Sequence, residues 1–238
     1  MKSILSLFIV VLVSMQVNAQ YSKYFMPPVE DGLLMTAKEV YAVTIAGDTI
    51  RGSISSATMM DGQVRALTIK QADKTKVKLK SADVTLLAVK TTRFMNQVSA
   101  LATPNIQRAS EMDFDKIMER EWVIFDQALL PNKNKYALMQ LLNPGFDSKI
   151  KVYINPNANE TGTFQVQGLA VAGGEDTSYL VVTEGSNQAE IYKKRKYDDE
   201  ALTRLYKDCP EFEQEYAGEK FRWSDFSEHV LVYDQLCQ

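Results

Sequence analysis

The sequence predicts an α+β protein: mainly antiparallel β, as a meander, open barrel or sandwich, with a short helical segment at its C-terminus. Three observations predict it. Apolar residues recur with period two from Val40 onward, as half-buried strands require. Turn-forming clusters interrupt the chain at nearly regular spacing up to Asn187, which favours antiparallel pairing over a parallel sheet. From Tyr197 the apolar spacing lengthens to three and four residues between helix caps.

The chain opens with Lys2, an apolar run from Ile4 to Val13, and the small-residue exit Val17-Asn18-Ala19. This is the pattern of a secretory signal peptide cut between Ala19 and Gln20. The run is too short for a lasting membrane span, and Gln20 stands where a lipoprotein would carry cysteine. The expected product is therefore exported, to the periplasm or the medium. Loss of Lys2 with the leader moves the formal charge from −3 to −4. That mild acidity argues against broad contact with nucleic acid or anionic lipid, both of which demand a basic face.

After the leader (1–19), residues 20–35, with Met26-Pro27-Pro28 and Asp31-Gly32, lack periodicity and read as a loosely held arm. The first β region, 20–104, is a meander. Tyr41, Val43 and Ile45 alternate with smaller or polar neighbours, Gly47-Asp48 makes a tight turn, and Ile50, Gly52 and Ile54 resume the alternation. Leu67 and Ile69 mark a further strand, Val77 and Leu79 alternate with lysines, and Val84 to Val89 closes the unit. Its opening hairpin resembles that of many small SH3-like or Sm-like barrels, a likeness that carries no function. Residues 91–120 are the expected seam, broken at Thr103-Pro104-Asn105, with a short helix or an irregular connection over Glu111 to Arg120.

The second β region, 105–196, packs on the first or continues it. Trp122 to Leu130 and Tyr136 to Leu142 read as interior strands. Lys149 to Ile154, Thr163 to Val171, Ser178 to Thr183 and Ala189 to Lys194 follow between turns.

The tail, 197–238, carries both cysteines and the only histidine. Asp198 is placed as an N-cap, with Leu202, Leu205, Tyr206 and Cys209 on one helix face. Pro210 starts a second helix that Gly218 stops, and a third begins at Ser224 with Phe226, Val230, Tyr233 and Cys237 along one side. In an oxidising compartment two cysteines are most simply one disulfide, and its loop closure is worth about 3.5 kcal/mol.

The succession of cap, short helix, DCPEF, aromatic-flanked connection and a last helix ending YDQLC resembles the tail of a large family of exported proteins from Bacteroidetes-type bacteria. The resemblance implies a β-rich body followed by this tail, with Cys209 and Cys237 as a structural staple. It implies no activity.

The search for chemistry yields few candidates. No nucleotide loop, nucleophile elbow or zinc-protease helix is present, so no catalytic residue, metal set or cofactor is assigned. His229, beside an apolar face, reads as a structural histidine. Glu111, Asp113 and Asp115 alternate and, if extended, put three carboxylates on one side, whereas ordinary helix capping is the stronger reading. Lys193-Lys194-Arg195-Lys196 is a basic run suited to an acidic glycan or a lipid headgroup, or to a solvated strand end.

Trp122, Tyr136, Tyr153, Phe164, Tyr179 and Tyr192 supply strand aromatics, most of them expected in the core. The sequence thus points to an exported, non-enzymatic binding or structural accessory whose partner is an envelope protein or a glycan. Its rivals are an apolar-ligand carrier with a β cup and a carboxylate-dependent hydrolase.

Overall fold

The computed structural model describes residues 24–60, 62–102, 112–131, 135–160, 164–167, 169–172 and 176–237. The expected cleavage pair Ala19/Gln20, Glu111 and Phe164's side chain lie outside that description.

Strands β1 (Val40–Thr44) and β2 (Thr49–Met60) form the hairpin that Gly47-Asp48 marks, with Gly47 at φ +88°, where other residues are strained. β3 (Gln63–Lys70) returns along β2, and β4 (Lys76–Lys80) pairs with β3. β5 (Val84–Lys90) crosses back to β1. From beyond the 91–120 break, β6 (Trp122–Leu129) and β7 (Tyr136–Gln140) complete the ladder from β5 to β3. Because β2 bonds to both β1 and β3, six strands in the order β1-β5-β6-β7-β3-β2 close into an antiparallel barrel, with β4 as a seventh strand on β3. Strands from both sides of the break thus share one sheet.

Side chains fill the barrel. Val40, Leu67, Ile69, Leu87, Phe125 and Leu138 are each at most 2% exposed and belong to one apolar cluster. They occupy the volume that an apolar ligand would need there. In β1 the inward residues are Val40 and Ala42, opposite Gly52 and Ile50, while Tyr41 stands outside against Trp122 with ring centroids 5.4 Å apart. At the closure β2 and β3 run so close that a Cβ on Gly52 would overlap the Lys70 carbonyl.

The arm is held more firmly than its composition suggests. Phe25 packs its ring against Phe146, Tyr179 and Phe226 at one end of the molecule, and Val29 and Leu34 enter the barrel core at the other. Between them Met26 N–H donates to Leu142 O (2.7 Å) and Val29 N–H to Gln140 Oε1 (2.9 Å). Three buried apolar side chains offset the ordering cost of a segment with no repeating pattern.

Helix α1 (Arg93–Leu101) occupies a stretch that period alone leaves uncertain, and α2 (Phe114–Glu119) is the short helix before β6. A smaller sheet follows, ordered β12-β11-β8, from β8 (Ile150–Ile154), β11 (Ser178–Thr183) and β12 (Glu190–Lys193). Between them the stretch expected as one strand is a hairpin of β9 (Phe164–Val166) and β10 (Leu169–Ala172). One face of the three-stranded sheet, with Val152, Tyr179 and Val181, packs on the tail. The other, with Tyr153, Leu180 and Val182, packs on the barrel ends Ala128, Ala137 and Leu141. Leu142 N–H to Val152 O (2.9 Å) ties the two sheets directly.

The tail is helical, as its caps and spacing require, but its first helix is shorter than predicted. α3 (Tyr197–Glu200) runs into a π turn, Ala201–Leu205, that ends before Cys209. Lys196, not Asp198, is the N-cap, and Asp198 Oδ1 instead accepts from Phe221 N–H at 2.8 Å. Cys209 caps α4 (Pro210–Glu215), with Pro210 at its first position, and Gly218 follows at φ +79°. A 3-10 turn, Trp223–Asp225, leads into α5 (Phe226–Leu236).

Candidate functional site

Two regions gather the side chains with chemical potential: the centre of the tail and a groove at the free end of the smaller sheet.

In the tail, Cys209 and Cys237 are joined as a disulfide with Cα atoms 5.8 Å apart, inside the usual range. The bridge ties the start of α4 to the end of α5. Cys209 is buried and Cys237 half-buried, at the edge of a 520 Å³ cleft bordered by Lys149, Arg204, Lys207 and Glu211.

The histidine lies in α5. Tyr197 Oη is 2.7 Å from His229 Nδ1 and 2.8 Å from Tyr206 Oη, and all three residues are at most 4% exposed. Rings seal the cluster: Phe221 and Tyr216 stand edge-on to the imidazole at 4.9 and 4.8 Å. Burial lowers His229 to about 4, against the pull of Asp225 and Glu228, while Arg222 adds to the lowering. Burial also pushes both phenols well above their ordinary value. At neutral pH the three groups are uncharged. Two hydroxyl protons then serve two acceptors if Tyr206 donates to Tyr197 and Tyr197 to Nδ1. A base this weak and this enclosed holds three elements in register.

The groove has about 720 Å³ and is lined by Asn155, Asn157, Asn159, Thr177, Ser178, Ile191 and the basic run Lys193-Lys194-Arg195. β8, β11 and β12 place these residues at the end of the sheet face that the barrel leaves uncovered. Asn155 Nδ2–H donates to Ser178 Oγ (2.9 Å), and Asn155 Oδ1 accepts from Asn157 N–H (3.1 Å). Thr177 Oγ–H donates to Asn159 O at 2.7 Å. Asn155 and Ser178 are about 5% exposed, so the groove has a fixed polar floor.

No family model matches this chain. No curated protein matches it, and no solved structure does.

Of the acidic candidates, Asp113 and Asp115 lie among the described residues and Glu111 does not. Asp113 Oδ1 accepts from Lys116 N–H (2.9 Å) as the N-cap of α2, and Asp115 sits in the same first turn. Both are helix-start carboxylates rather than one side of an extended strand. Among the described residues no group of three His, Cys, Asp or Glu is placed to hold a metal, and no helix is long and apolar enough to cross a membrane. Of the strand aromatics, Tyr153, Tyr179 and Tyr192 are buried, whereas Tyr136 is 39% exposed.

One buried ionic residue gives no sign of itself in the sequence. Arg120, 8% exposed, donates from Nε to Asn96 Oδ1 (3.2 Å), from Nη1 to Pro27 O (2.8 Å) and from Nη2 to Ser99 Oγ (3.2 Å). Desolvation lowers its guanidinium to about 10, so it stays charged, held by neutral oxygens from the arm and α1. Its partners lie 21 or more residues away in sequence, too far for any local pattern to announce them. The same holds for Tyr197 and Tyr206, which the tail's spacing marks as helical but not as partners of His229.

Proposed function

We propose that this chain is an exported, non-enzymatic accessory that binds an envelope protein or a glycan. The observation that carries the reading is the disulfide. It commits both cysteines to tying the start of α4 to the end of α5 within the tail, and such bridges persist in oxidising compartments. The leader pattern at Lys2 to Ala19 and the resemblance of the tail to exported Bacteroidetes-type proteins support the same reading. His229 fits it as well, since its imidazole is buried against two tyrosines rather than open to a substrate.

The test uses the full chain, expressed with its own leader in a host that exports it. The expected outcome is an N-terminus at Gln20, no titratable thiol after denaturation without reductant, and one reproducible component retained from the envelope fraction. Two free thiols in protein held in the cytoplasm would overturn the proposal.

A further inference from the structure

We propose that the groove at the free end of the β8-β11-β12 sheet is a binding site for an acidic saccharide. This names a ligand class within the accessory reading and rests on it.

The lining carries the argument. The side-chain amides of Asn157 and Asn159 make no hydrogen bond among the described residues, and both residues are exposed. An amide presents a donor beside an acceptor, which matches the adjacent hydroxyls of a sugar ring. In the same lining Ser178 Oγ accepts from Asn155 Nδ2, and its own proton has no acceptor among the described residues. A buried hydroxyl proton without a partner is costly unless a ligand or water takes it. Ile191, 36% exposed, offers an apolar surface for the carbon face of a ring.

Charge sits on one rim. Lys193 and Arg195 are exposed and form no ion pair among the described residues, so both are available to a carboxylate or sulfate. Amides and hydroxyls outnumber those two cations. A bare phosphate or a lipid headgroup would engage the cations and leave the amides idle, whereas a sugar acid engages both. The volume, about 720 Å³, falls within the range of small-ligand sites.

The experiment is calorimetric titration of residues 20–238 at low salt. The ligands are an oligogalacturonate, a sulfated oligosaccharide, a neutral oligosaccharide of equal length, inorganic phosphate, and phosphatidylglycerol vesicles. One or both acidic saccharides should bind, at least tenfold more tightly than the neutral one, and which of them binds tells carboxylate from sulfate. Asn157→Ala, and separately the double variant Lys193→Gln/Arg195→Gln, should each weaken that binding about tenfold, equivalent to about 1.4 kcal/mol. The charge-matched pair Lys78→Gln/Lys80→Gln on β4 should leave it unchanged.

Equal binding of phosphate or vesicles, indifference to the groove variants, or no acidic saccharide binding would overturn the site. Capture from the envelope fraction separates that failure from failure of the accessory reading. If capture persists while the saccharides fail, only the groove assignment falls. If neither works, both fall.

Discussion

Protonation of His229 should unfasten the tail in mild acid. An imidazole lowered from 6.5 to about 4 in the folded state takes up its proton more readily when the chain is unfolded. Stability is therefore lost as pH falls from about 6.5 toward 4 and is level below that. Linkage gives a loss of about 2 kcal/mol at pH 5 and about 3 kcal/mol at pH 4, relative to pH 7. Asp225 and Glu228 pull the ring the other way, so the useful quantity is a difference between two proteins.

His229→Gln supplies the second protein. Its side-chain amide can hydrogen-bond the Tyr197 hydroxyl, which lies 2.7 Å from Nδ1 in the native chain, without a group that titrates. Urea midpoints for both proteins at pH 7, 5 and 4 should diverge by the amounts above, with the histidine protein falling faster. Parallel curves would refute the reasoning, because they would show that His229 titrates alike folded and unfolded, hence that it is not desolvated.

Three further predictions concern the tail, the barrel and the arm. Reduction of Cys209–Cys237 should cost about 3.5 kcal/mol and lower the melting temperature by about 7–14 °C, read by calorimetry with and without reductant; an unchanged melt would mean the bridge does not constrain the tail. Gly52→Ala should destabilise by about 1–3 kcal/mol in urea unfolding, since its Cβ meets the Lys70 backbone rather than a movable side chain. Arg120→Met should cost about 3 kcal/mol by stripping a donor from Pro27 O, Asn96 and Ser99 together, and Arg120→Lys should recover little of it because one ammonium cannot span all three. Amide exchange would then speed up in α1 and in residues 24–36 before the barrel strands, and uniform protection would count against that coupling.

What the sequence announces, and what it hides, divides by the range of the interactions. The tail is legible because its signals are local: Pro210 can only begin a helix, Gly218 ends one at φ +79°, and Phe226 and Val230 fall on one face. The β body is legible as strands because alternation is local too, but alternation marks a strand without saying which face looks in. In β1 Val40 and Ala42 face in while Tyr41 and Val43 lie outside, where Trp122 supplies a partner for the tyrosine.

α1 shows the same limit from the other side. Its buried face mixes Met95 and Ala100 with Asn96 and Ser99 while Phe94 and Leu101 are exposed, so its hydrophobic pattern is blurred, and the two buried polar side chains meet a guanidinium brought in from residue 120. Barrel closure belongs with these cases: β2 and β4 meet β3 through turns, but β5, β6 and β7 must all be in place before β7 can close the ring on β3. The groove follows in turn, because the barrel ends pack on Tyr153, Leu180 and Val182 and leave Ile191 and Lys193 exposed beside the buried floor of Asn155 and Ser178. Binding potential at this end of the molecule is thus a consequence of where a distant barrel stops, which is why the basic run alone signals charge and not a site.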